Sequence, residues 1–156
     1  LPILGTRTLH WADESDCEAT ARALAARAAI RNACIELHGD LGAGKTTFAR
    51  HLLRALGVTG RIKSPSYALM EPYRVEASAL DAWHFDFYRF DDPHEWEDAG
   101  FRELFAQPGL KLVEWPERAA GLLPEPDLRI ALEILDERRR RVTLEAATPR
   151  GLELLG

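Results

Sequence analysis

The chain is poor in several residue types, and each shortage excludes something. It has two cysteines, Cys17 and Cys34, among 156 residues. That is too few for a disulfide framework and the spacing is wrong for a zinc site, so both read as small buried thiols. No run longer than seven residues lacks an Asp, Glu, Lys or Arg. A membrane-spanning helix needs about 18 apolar residues, so neither such a helix nor a signal-peptide core is expected, and the expected compartment is the cytoplasm. Asn32 is the single asparagine and is followed by Ala33. The guanine-reading N-K-x-D loop is therefore impossible, and the γ-phosphate-sensing D-x-x-G is absent as well. Gln107 is the one glutamine that could position a water. Lysines number three against 17 arginines, and the net charge of -5 excludes a generally basic nucleic-acid binder.

What remains is an ordinary globular composition, with 46% hydrophobic and 29% charged residues. The length is that of one domain, expected to span 1–156. A strand is expected around Thr6 to His10. A helix follows, with Ser15 and Glu18 at capping-box spacing and Ala21, Leu24, Ala25 and Ala28 as its apolar stripe. Ala33 to Leu37 reads as a strand running into glycines, and Thr46 to Leu56 as a helix ended by Gly57. Tyr67 to Tyr73 and Ala79 to Phe87 look extended. Asp92-Pro93 starts a helix reaching about Phe105. Leu110 to Glu114 is a further strand, and Leu128 to Leu135 with Val142 to Ala146 forms an antiparallel hairpin around Asp136 to Arg141. The expected fold is α/β: a P-loop NTPase-like mixed sheet flanked by helices, with a C-terminal antiparallel hairpin.

Gly39-Asp40-Leu41-Gly42-Ala43-Gly44-Lys45-Thr46 satisfies G-x-x-x-x-G-K-S/T, with Thr47 next, and lies between an expected strand and an expected helix. Glycines let backbone N–H groups turn toward phosphates without Cβ clashes. The helix that starts near Lys45 adds its positive end to the cradle. Lys45 supplies an ammonium for the β- and γ-phosphates, and the Thr46 hydroxyl is a Mg²⁺ ligand candidate. Asp40 to Thr47 are the expected nucleotide-binding residues: Asp40, Leu41, Gly42, Ala43, Gly44, Lys45, Thr46 and Thr47.

Such a loop needs an acid at a neighbouring strand end. Asp86 closes Ala82 to Asp86 and Glu114 closes Leu110 to Glu114, each an apolar strand finishing in a carboxylate. Thr46, Asp86 and Glu114 are thus the candidate metal residues. Lys63-Ser64-Pro65-Ser66 lies where related folds place a switch segment, and a plain proline turn explains it equally well. Arg89 is the nearest candidate for an arginine finger, and a surface salt bridge explains it equally well. His84 and Asp86 share a strand face, but no third ligand supports a zinc site. Arg138 to Arg141 could touch nucleic-acid phosphates; a solvated basic turn is the simpler reading.

Four segments in order resemble the bacterial TsaE (YjeE) family. Gly39 to Phe48 is similar to its phosphate loop, and Lys63-Ser64-Pro65-Ser66-Tyr67 to its S-P-T/S-Y/F segment. His84-Phe85-Asp86-Phe87-Tyr88-Arg89 resembles its H-x-D-x-Y-R segment, and Val113-Glu114-Trp115-Pro116-Glu117 its E-W-P/x-E segment. The resemblance runs from about Thr6 to Ala146 and leaves the tail Thr148 to Gly156 without a counterpart. It implies a small ATPase using ATP and Mg²⁺ in making threonylcarbamoyladenosine on tRNA. The implied partner is the TsaB–TsaD pair, which carries out the transfer; any tRNA contact would be indirect or weak. It also implies catalytic roles for Lys45, Ser66 (often Thr in the family), Asp86, Glu114 and Trp115, the last two tied to hydrolysis and partner communication. A small-molecule phosphotransferase is the alternative enzyme class, disfavoured because only Arg102 and Arg118 lie between Trp96 and the terminal hairpin, where an arginine-rich lid would be expected, and a nucleotide-gated binding module without turnover is a third reading.

Overall fold

A computed structural model describes residues 2–156. Its centre is a seven-stranded sheet in the order β1-β7-β6-β2-β5-β4-β3. The strands are β1 (Gly5–Trp11), β2 (Cys34–His38), β3 (Met70–Val75), β4 (Leu80–Asp86), β5 (Leu110–Glu114), β6 (Leu128–Ile134) and β7 (Arg140–Ala146). The central strands β6, β2, β5 and β4 are parallel. Antiparallel partners flank them, β7 on β6, β1 on β7 and β3 on β4. This is the expected mixed α/β architecture.

The helices are α1 (Glu14–Ala25), α2 (Lys45–Ala55), α3 (Pro93–Asp98), α4 (Phe101–Ala106) and α5 (Pro149–Leu155). Strand alternation sends successive side chains to opposite faces and divides the apolar residues into two cores. One joins Ile35, Leu37, Leu112 and Ile130 of the sheet to Leu24 of α1 and to Phe48 and Leu52 of α2. The other packs Trp83, Phe85 and Val113 against Trp96 and Phe101. Trp11, Trp83 and Trp96 are all core residues.

Four local expectations are corrected. The α1 cap is Asp13, whose carboxylate accepts from the Ser15 N–H at 2.9 Å, and not a Ser15–Glu18 box. The Asp13 carboxylate is a stronger acceptor than the hydroxyl and sits one residue outside the helix. Ser66 to Ala68 form a turn, so the first extended segment begins only at Met70. The expected helix from Asp92 to Phe105 is two short ones, parted at Gly100, whose φ of 69° leaves the right-handed helical region. Strand β7 begins at Arg140, so Arg140 and Arg141 belong to the strand and not to the turn.

The C-terminal tail, which carried no sequence signal, is the helix α5. The Thr148 hydroxyl donates to Asp127 at 2.7 Å and accepts from Gly151 N–H at 3.1 Å, so one side chain both caps the helix and anchors it. Gly151 lies so close that a Cβ there would overlap the Asp127 carbonyl oxygen. Gly151→Ala is therefore expected to destabilise the fold by about 1–3 kcal/mol, read as a lower midpoint in urea unfolding with an unchanged slope.

Candidate functional site

The parallel register sets the site. Asp86 lies beside Glu114 where β4 and β5 end together. Period-two alternation puts Ala82, His84 and Asp86 on the same face as Leu110, Leu112 and Glu114, the face that α2 covers. The loop after β2 delivers α2 to that point. Within it Ala43 N–H donates to Asp40 O at 3.0 Å, and Gly44 has φ 107°, a conformation that side chains disfavour. The first helical bond of α2 is Phe48 N–H to Gly44 O, at 2.9 Å. The N–H groups of Lys45, Thr46 and Thr47 in the first turn thus have no partner within the helix, which is what an anion cradle requires.

Lys45 is 5% exposed, and its ammonium donates to the Gly39 carbonyl while standing 3.5 Å from the centroid of the Trp115 ring. Burial lowers its pKa, opposed by the charges of Glu114, Glu117, Asp86 and Asp40. The Thr46 hydroxyl lies 2.8 and 3.0 Å from the two Glu114 carboxylate oxygens and donates to that group. Glu114, 2% exposed, also stands 2.6 Å from Nε2 of buried His84. His84 Nδ1 is buried without a partner, so Nε2 is the nitrogen that donates to the carboxylate.

Asp86 accepts from Tyr88 N–H at 3.0 Å. Burial raises its pKa above 3.8; the Tyr88 N–H opposes the rise and the Glu114 charge adds to it. A raised carboxyl pKa means that the fold resists ionisation of Asp86, a cost fully present above the raised value and gone only below 3.8. Asp86→Asn, which keeps the shape and has no charge to bury, is expected to raise Tm at pH 7. The gain should shrink as pH falls through the raised Asp86 pKa toward 3.8, which melting curves of both proteins across pH would measure.

Trp115 has φ 54° and ψ 49°, a left-handed backbone that costs a bulky residue about 1–3 kcal/mol. In return its ring packs against the Lys45 ammonium and, at 4.9 Å, against Tyr88. Ser66 pairs with Ser64 at 2.7 Å, and Arg89 lies 4.6 Å over the Tyr67 ring. Lys45, Thr46, Ser66, Asp86, Glu114 and Trp115 meet in one cleft of about 430 Å³. Leu41, Gly42, Gly44 and Thr47 also line it. Asp40 closes the loop turn, and Ala43 faces a second recess of about 360 Å³ on the other side of Gly44.

Sequence reasoning missed two contacts. The link from His84 to Glu114 was within reach, since His84 precedes Asp86 by two residues on a strand. Arg140, which reaches the carbonyls of Ala43 and Gly42, carried no signal at all. Gln107 ends α4, and its carbonyl accepts from Lys111, so it is not in the cleft.

By fold and site the chain is a P-loop NTPase-like α/β protein. The family model for "Threonylcarbamoyl adenosine biosynthesis protein TsaE" matches residues 11–142, and the chain belongs to the TsaE family. It is 40% identical over 121 residues to the tRNA threonylcarbamoyladenosine biosynthesis protein TsaE of Haemophilus influenzae, covering 78% of this chain and 75% of the relative. The Bacillus subtilis protein of the same name is 37% identical over 112 residues, covering 72% and 68%. The crystal structure of Bacillus subtilis YdiB superposes with a TM-score of 0.79 at 26% identity, covering 99% of this chain and 95% of that one. Among the described residues no helix is long and apolar enough to cross a membrane.

Proposed function

We propose that this chain is a weakly hydrolysing ATPase of tRNA threonylcarbamoyladenosine biosynthesis, acting in the cytoplasm on the TsaB–TsaD pair to support its turnover. The observation that carries the reading is the convergence of Lys45 and Thr46 with Asp86 and Glu114 in one cleft at the ends of parallel strands. Backbone amides of Gly44 to Thr47 and the Lys45 ammonium suit a polyphosphate.

The donor set fits Mg²⁺: a hydroxyl from Thr46 and two carboxylates, hard oxygens without a thiol. Among the described residues no cluster of three or more His, Cys, Asp or Glu forms a cage of its own, which suits an ion shared with phosphate oxygens. When bound, the ion would neutralise charge on the phosphates. Glu114 holds the Thr46 hydroxyl in place and is itself held by His84. Asp86 contributes the second charge.

The recess beyond Gly44 suits the nucleoside. Trp11, Cys17 and Ala43 give it apolar surface, while Asp13 and Glu137 offer acceptors to an exocyclic amine or ribose hydroxyls. Dependence on a partner follows from what the cleft lacks. Gln107 lies elsewhere, and Arg89, although it lines the cleft, is stacked on the Tyr67 ring; phosphoryl transfer without a positioned water and a free arginine is slow. Arg139 and Arg141 are paired with Asp136 and Glu133, each at 2.7 Å. Two of the four charges in the basic run are thus balanced, which supports leaving tRNA contact to the partners. ATP turnover measured alone and with saturating TsaB–TsaD tests the proposal: the rate is expected to change with the partner, and equal rates would overturn it.

A further inference from the structure

We propose that Arg140 is a positioning residue of the glycine loop, holding the loop's amides in place for phosphate from the distant β6–β7 hairpin. This rests on the nucleotide-binding reading above and adds to it a residue outside the phosphate-loop sequence. Arg140 Nε donates to Ala43 O at 2.8 Å and Nη2 lies 3.4 Å from Gly42 O. On the hairpin side Nη1 donates to Asp136 O at 2.8 Å and Arg139 O at 2.9 Å. One planar fork thus ties the hairpin turn to the loop. Leu132 of β6 abuts the loop as well: a Cβ on Gly39 would press on the Leu132 carbonyl at 2.8 Å.

A trans peptide is planar, with the C=O of one residue opposed to the N–H of the next. Holding the Ala43 carbonyl toward Arg140 therefore turns the Gly44 N–H the other way, toward the phosphate cleft that Gly44 lines. The Ala43 N–H is already spent on Asp40 O, so Gly44 is the first amide of the loop that this clamp can present. Arg140 is not placed as a phosphate ligand itself: it does not line the phosphate cleft, and its Nε and Nη1 are occupied by main-chain carbonyls. It does border the recess given above to the nucleoside, which is why a ligand without a nucleoside is needed in the test. Its neighbours differ: Arg139 and Arg141 pair with carboxylates.

The test compares binding of ATP and of inorganic tripolyphosphate, which has no nucleoside, by the wild-type chain and by Arg140→Ala and Arg140→Lys. Melting curves report whether each variant is folded. If Arg140 acts through the loop, Arg140→Ala weakens both ligands by the same factor, about 10- to 50-fold, with kcat at saturating ATP within about 3-fold of wild type. Added guanidinium should restore part of the affinity. Arg140→Lys keeps the charge and the stem but loses the fork, and is expected to lose at least about 5-fold on both ligands; it serves where the alanine variant does not fold. Loss confined to ATP would assign Arg140 to the nucleoside and overturn the proposal, as would unchanged affinity in a folded variant. No binding of either ligand by the wild-type chain would instead overturn the nucleotide reading itself.

Discussion

Replacing Lys45 with alanine is expected to weaken ATP binding by about 100-fold or more and to leave the fold intact. A charge-assisted hydrogen bond contributes about 1.5–3 kcal/mol, and the ammonium is placed to make more than one to a polyphosphate. In the ligand-free structure the same group is committed to the Gly39 carbonyl and the Trp115 ring, and burial already lowers its pKa. Losing it removes a poorly solvated charge together with two favourable contacts, so the two changes offset and stability moves little. Lys45→Arg should bind almost as poorly, because a planar fork cannot occupy the space of a compact ammonium between the loop and an indole ring. Equilibrium titration with ATP and thermal melting of the same samples separate the two effects. Tight binding by Lys45→Ala would contradict the role given to this loop.

Glu114→Gln is expected to lower the ATP turnover number by about 100- to 1,000-fold while changing ATP affinity by less than about 10-fold. The amide keeps the size of the carboxylate and can still accept from the Thr46 hydroxyl, so the shape of the cleft is preserved. What disappears is the negative charge, which Thr46 and His84 both face. That charge is also one reason why the Asp86 pKa is raised. Glu114→Gln should consequently let Asp86 ionise at lower pH. Single-turnover hydrolysis and nucleotide titration together test this split, and equal losses in binding and turnover would assign Glu114 to binding alone.

The parts of the site legible in the sequence are those fixed by short-range order. The glycine loop, Lys45 and Thr46 are consecutive, and a strand before and a helix after are enough to place them. Asp86 and Glu114 were legible because an apolar strand that ends in an acid delivers that acid to the carboxyl edge of a parallel sheet. The alternation that puts both on the α2 face follows from strand geometry once β4 and β5 are neighbours. That neighbour relation, like the placement of β6 beside β2, is set by packing across the whole chain. For this reason the Arg140 contact, 97 residues from Ala43, was invisible, and a strand residue was read as part of a solvated turn. The break at Gly100 was missed because the helical pattern continues on either side of it. The α5 anchor was missed for another reason: Thr148 acts on Asp127, a buried carboxylate that its own segment does not identify.

The most direct measurement is multiple-turnover formation of threonylcarbamoyladenosine on tRNA by TsaB and TsaD, supplied with threonylcarbamoyl donor and ATP, with and without this chain. Sustained product formation is expected only when the chain is present, and the Lys45→Ala protein should fail to replace it. Equal product formation without the chain, or full support from Lys45→Ala, would contradict a nucleotide-driven role in that turnover.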